Sequence, residues 1–142
     1  MRSLILIVLI IVVLCPVAFA DDGAKQFSVD LPDDWRDAAR IRLVLENITT
    51  PANRAFKLRV TTKSGSETIV LGSAPIEAIG RDRTGTRSIP SIRLDVTRAL
   101  KRLLGNSADV SRIQIVIQAV GPRNEPVKGF EWNLKRVVFE TS

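Results

Sequence analysis

The architecture predicted by this 142-residue sequence is all-β: an antiparallel β-sandwich of about seven to eight strands with one short helix at about residues 97–104. Three observations predict it. Apolar and polar residues alternate with a period of two in segment after segment. Clusters of Gly, Pro, Asn and Asp separate those segments. Only one stretch, around Leu100 to Leu104, carries apolar residues at helical spacing.

Taken in order, Phe27, Val29 and Leu31 alternate in the first segment, and Pro32-Asp33-Asp34 turns the chain. Ile41, Leu43 and Leu45 line one face of the next strand, with Arg40, Arg42 and Glu46 opposite, until Thr50-Pro51-Ala52-Asn53 ends it. Phe56, Leu58 and Val60 repeat the pattern against Lys57, Arg59 and Thr61. Lys63-Ser64-Gly65-Ser66 then reads as a hairpin loop into Thr68-Ile69-Val70-Leu71, so these two strands pair antiparallel. After a Gly- and Arg-rich loop, Ile92, Leu94 and Val96 form a strand that runs directly into the helix. Asp95 or Thr97 is placed to accept from the free amides at its start, Leu100, Leu103 and Leu104 share a face, and Gly105 allows a left-handed stop. Ile113, Ile115 and Ile117 alternate with Gln114, Val116 and Gln118, and the apolar residues on both faces predict a central strand closed by Gly121-Pro122-Arg123-Asn124. The last segment places Phe130, Trp132 and Leu134 on one face but Val137 and Phe139 on the other, a phase change that predicts a bulge near Lys135-Arg136.

The first twenty residues read differently. Arg2 supplies a positive start, Leu4 to Leu14 is an unbroken apolar run, Pro16 breaks the helix, and Ala18-Phe19-Ala20 offers small residues before a cut. Residues 1–20 are therefore expected to be a cleavable signal peptide and 21–142 a single β-sandwich domain, secreted or periplasmic. The apolar run is too short for a spanning anchor, which needs roughly 20 apolar residues, so no stable membrane anchor is expected after cleavage. Leu14 before Cys15 argues against bacterial lipidation. Because Cys15 is the chain's single cysteine, the exported part would hold neither thiol nor disulfide and would depend on its core.

Composition excludes most chemistry. The chain has no histidine and no tyrosine, so the usual general base of Ser and Cys nucleophiles and the commonest zinc, copper and haem ligands are absent. No cofactor and no catalytic residue are expected. The 21 basic residues, less Arg2, stand against 15 acidic ones, leaving the exported part about +5; export disfavours nucleic acid as the partner of that charge. Most basic residues alternate with apolar ones, as in Arg40-Ile41-Arg42-Leu43, and are explained by a solvated strand face.

Two groups stand out. Arg81, Arg83 and Arg87 lie among Gly80, Asp82, Gly85 and Thr86, which reads as a long exposed loop and a candidate interaction surface. Asp33, Asp34 and Arg36 surround Trp35, a candidate platform for a ligand such as a carbohydrate. Pro32-Asp33-Asp34-Trp35 reads more strongly as an acidic turn with an apolar residue folded onto the core, and Asp33 and Asp34 stand too close to frame a glycosidic bond. Calcium at these aspartates lacks the ligand spacing of an EF-hand loop. Trp132, alternating with Phe130 and Leu134, is expected in the core. Asn47-Ile48-Thr49 fits the N-glycosylation pattern, which has meaning only in a eukaryotic host.

Over roughly residues 40–140 the order of elements resembles the small β-sandwich domain C-terminal to the copper core of polyphenol oxidases and tyrosinases. The residues that carry the resemblance are Phe56-Lys57-Leu58-Arg59-Val60, Leu71-Gly72-Ser73, Ile92-Arg93-Leu94-Asp95-Val96-Thr97-Arg98-Ala99-Leu100 with Leu103, Ile113-Gln114-Ile115-Val116-Ile117, and Leu134-Lys135-Arg136-Val137-Val138-Phe139-Glu140. The resemblance implies a lid packed against an oxidase core whose own histidines hold the copper. The blocking residue of that family has no counterpart here. The expected function is accordingly a non-catalytic, exported accessory module with a protein partner, a copper oxidase core being the first candidate. A carbohydrate-binding module and a self-associating structural subunit are the alternatives.

Overall fold

The computed structural model describes residues 23–80, 82–105 and 110–142. The expected signal segment with Cys15, and Arg81 of the basic loop, lie outside the described residues. Among the described residues seven strands and one helix follow in order: β1 (Ala24–Asp30), β2 (Ile41–Pro51), β3 (Phe56–Ser64), β4 (Glu67–Ile76), β5 (Thr86–Asp95), α1 (Thr97–Leu104), β6 (Arg112–Val120) and β7 (Asn133–Thr141). They form a four-stranded sheet ordered β1-β6-β3-β4 and a three-stranded sheet ordered β5-β2-β7, every pairing antiparallel. The all-β sandwich expected from the alternation is what the chain adopts. The Gly65 hairpin and the central position of β6 are likewise as expected.

Between the sheets lies one core. Ile41, Leu43, Leu45 and Ile48 of β2 face Leu58 and Val60 of β3 and Ile115 and Ile117 of β6, all at 0% exposure. Each contributes about 1.5–3 kcal/mol relative to an exposed position, which compensates for the lack of any cross-link in this part of the chain. α1 closes one end by burying Leu100 and Leu104. Its start is held by side chains: Asp95 Oδ1 accepts from the Thr97 amide at 3.0 Å and from the Thr97 hydroxyl at 2.6 Å, while Thr97 Oγ1 accepts from the Ile41 amide at 2.7 Å. These bonds fasten the helix to β2 and hold the Asp95 carboxyl below its ordinary pKa of 3.8, the Thr97 hydroxyl first and the Thr97 amide second, with Arg40 and Arg42 adding to the effect.

Two local expectations require correction. Gly105 is right-handed, with φ −46° and ψ −33°, so no left-handed stop occurs there. β4, not β7, carries a bulge: Val60 pairs Gly72 whereas Thr61 pairs Val70, and the extra residue, Leu71, is turned into the core. β7 keeps one register against β2 from Thr141 to Asn133.

The phase change detected in β7 is nevertheless real, and it crosses the whole sheet. Inward residues switch from Leu45 to Ile48 in β2, from Ile92 to Ile89 in β5 and from Val137 to Leu134 in β7, and these residues are mutual partners. Asn47, skipped by both ladders, takes a left-handed φ of 55° that Asn tolerates better than most residues. Pro90, opposite it on the edge, has no amide to offer. All three strands spend one residue at the same row, so the phase turns over while the pairing stays in step.

Candidate functional site

The Asp33–Arg36 turn is a structural joint. Trp35 is 5% exposed and belongs to the core cluster, which corrects its expected role as an open platform. A one-residue aromatic in an acidic turn has no periodicity to reveal which way it points, and here the turn folds it inward. Its amide donates to Pro32 O at 3.1 Å, the Asp37 and Ala38 amides donate to Asp34 O at 3.1 and 3.0 Å, and the Thr141 hydroxyl donates to the Asp34 carboxylate at 2.8 Å. The Arg36 guanidinium lies over the Trp35 ring, 5.2 Å from its centroid. Asp33 borders only a small surface recess beside Val110 and Ser111. The four residues lie together, but as a clamp between the sheets.

The basic loop divides likewise. Arg83 is exposed in a turn closed by its amide on Gly80 O at 3.3 Å. Arg87 is not in the loop: it is the second residue of β5, pairs with Thr50 and is half-buried, its Nε shielded from solvent without a hydrogen-bond partner. Its place in the inward set with Ile89 corrects its assignment to an exposed group. Among the described residues this loop presents Ile79, 51% exposed, and Asp82, Arg83, Thr84 and Gly85 to solvent.

Trp132 is in the core as expected, its indole N–H donating to Gly23 O at 3.0 Å under the Lys25 ammonium. Among the described residues no group of three or more His, Cys, Asp or Glu is placed to hold a metal ion.

A surface that no motif announced is the outer face of the four-stranded sheet. The pairings set its rows: Gln26, Val116, Thr61 and Val70 lie side by side, with Ser28, Gln114, Lys63 and Thr68 in the next row and Ala24, Gln118, Arg59 and Ser73 in the row beyond. A shallow depression of about 660 Å³ runs along this face and reaches Leu103 and Leu104 of α1 at one end. Its lining mixes amides and hydroxyls with a larger share of apolar surface. Gln26 Nε2 donates to Gln114 Oε1 at 2.7 Å, Val70 is 43% exposed, and Arg112 at the rim is paired with Asp30 at 2.7 Å. Arg59 and Lys63 give the face a positive cast. Such a surface can bind by hydrogen bonding and modest apolar contact; it offers no nucleophile and no acid–base pair.

The fold defines the chain as a two-sheet antiparallel β-sandwich with one short helix. Its fold matches part of a solved structure, "latent aurone synthase (polyphenol oxidase) from natural source", with a TM-score of 0.58 and 12% identity, covering 83% of this chain and 24% of that one. A recombinantly expressed latent aurone synthase (polyphenol oxidase) co-crystallized with hexatungstotellurate(VI) aligns at a TM-score of 0.44 with 16% identity, over 82% of this chain and 25% of that one. This chain therefore spans about a quarter of the length of the structures it matches, and at such identity the likeness is one of fold. No protein-family model and no curated protein matches the sequence.

Proposed function

We propose that the chain is an exported, non-catalytic accessory module that docks on a protein partner through the outer face of the four-stranded sheet, in the manner of the lid domain of tyrosinase-like copper oxidases. The observation that carries this reading is the coincidence of fold with a quarter of a latent polyphenol oxidase, in a chain that has no histidine with which to bind copper itself. Export rests on the Met1–Ala20 segment. The partner favoured is an oxidase core with an acidic docking surface, complementary to Arg59 and Lys63.

Co-expression with an exported copper oxidase core, followed by affinity capture and oxidase assay, tests the reading. Stoichiometric capture and altered oxidase activity are expected, with Val70→Asp lowering binding about 10-fold at unchanged fold. No capture, together with unchanged oxidase activity, would sink the proposal. The carbohydrate reading has lost its motive with the burial of Trp35.

A further inference from the structure

We infer that the free edge of β7 is a self-pairing interface, on which a second copy of this chain adds its own β7 antiparallel about a two-fold axis at Val138. The inference is independent of the oxidase reading and uses a different surface.

The backbone determines which groups are available. Arg40 and Ser142 exchange both of their backbone hydrogen bonds at 3.0 Å, one step beyond Ile41↔Thr141 in the β2–β7 register. Antiparallel ladders alternate such pairs with pairs that exchange none. Arg42–Glu140 and Val44–Val138 are thus the next bonded pairs, and the N–H and C=O groups of Val137, Phe139 and Thr141 point to the open side of β7.

Edges in natural sheets are usually blocked. β5 carries Pro90 at its middle, and β4 carries Pro75 and the Leu71 bulge. β7 has neither proline nor bulge. Used against itself, its free-edge groups allow a register in which Val137 exchanges hydrogen bonds with Phe139 of the second copy. That register places Val138 against Val138 and Arg136 against Glu140 at closely approaching, non-bonded positions.

The charges then fall into order across both copies. In the chain itself Arg42 stands between Asp95 and Glu140, and Arg136 stands beside Glu46. Joining the two β7 strands produces a row running Asp95, Arg42, Glu140, then Arg136 and Glu46 of the second copy, with the sign alternating at every step. The adjacent row runs Val44, Val138, Val138, Val44. Shifting the register by one bonded pair in either direction separates Arg136 from Glu140. β1, the remaining edge, has no equivalent: the bond from the Leu31 amide to Ser111 O places the free-edge groups on its even-numbered residues, and no register that uses them brings Lys25 opposite Asp30.

Sedimentation equilibrium of the purified protein at concentrations up to the order of 100 μM tests the interface, since a single strand pair makes only a small, transient one. A reversible shift toward twice the monomer mass is expected. Val137→Pro removes the donor directed to the open edge and also replaces an inward-facing, half-buried valine, so it is read on protein whose circular dichroism matches wild type, where association should fall at least ~10-fold. Arg136→Glu and Glu140→Arg each place like charges across the axis, and each should be monomeric alone. Mixed in equal amounts they should form a heterodimer, because one variant then carries only acidic side chains at these two positions and the other only basic ones, and both cross-axis contacts pair opposite charges. A wild-type protein monomeric throughout, association that survives Val137→Pro, or two folded single variants that fail to combine would each overturn the inference.

Discussion

The two outer faces of the sandwich solve the same solvation problem in opposite ways. On the three-stranded sheet, long charged side chains bridge across strands: Arg93 Nε lies 3.5 Å from Glu140 Oε2, and Arg136 Nη1 lies 3.9 Å from Glu46 Oε2. Beneath them Val44, on the solvent side of the strand, is only 1% exposed. The stems of the arginines and glutamates cover the valine while their charged ends stay wet. On the four-stranded sheet the corresponding row is short or neutral, and Val70 remains 43% exposed. One face covers its apolar row with the stems of its own charged side chains; the other leaves an apolar spot exposed.

The largest expected break in this contrast comes from placing a carboxylate under each face. Val44→Asp buries a charge beneath the arginine cover and should cost about 3 kcal/mol or more in urea denaturation, whereas Val70→Asp on the open face should stay within about 0.5 kcal/mol. Comparable losses at the two sites would erase the distinction. Next in size is Thr97→Val, which removes the hydroxyl shared between Asp95 and the Ile41 amide and leaves that partly buried amide without its acceptor. A loss of about 1–2 kcal/mol is expected, with the helix at the sandwich end loosening first in hydrogen exchange.

Smaller still is the removal of one surface pair. Arg136→Ala should change monomer stability by no more than about 1 kcal/mol, since Arg136 is 69% exposed and its pair with Glu46 is long. The mildest effect is acid-specific. The Asp95 pKa is lowered in the folded chain, so its contribution is complete above the unfolded value near 3.8 and is lost as pH falls through the folded value. Asp95→Asn should therefore be less stable than wild type at pH 7, with the difference shrinking below pH 3.8; a difference that grew on acidification would reverse the assigned sign.

How much of this was legible in the sequence depends on periodicity. Ile41-Leu43-Leu45, Leu58-Val60 and Ile113-Ile115-Ile117 declare their inward faces by alternation alone, and Trp132 could be placed because Phe130 and Leu134 frame it. Trp35 sits in a turn where no period operates, and its burial follows from the fold of Pro32 to Ala38. Arg87 was hidden by composition: Gly, Asp and Thr beside it imitate a loop, while the strand continues through it to pair with Thr50. The phase change in β7 was visible, but its cause lies in partners that sequence spacing cannot align. The open face of Gln26, Gln114, Gln118 and Thr61 comes from three strands far apart in the chain, and residues of so ordinary a type carry no motif.

The row through Asn47 has a consequence for how this sheet can change. Shortening β2 by that one residue would restore its strict alternation and at once turn half of β2 the wrong way relative to β5 and β7. Lengthening or trimming is tolerable only if all three strands change together at the same row. Insertions and deletions among divergent relatives should therefore gather in the connecting loops, and the positions of Asn47, Pro90 and Lys135 should be gained or lost as a set.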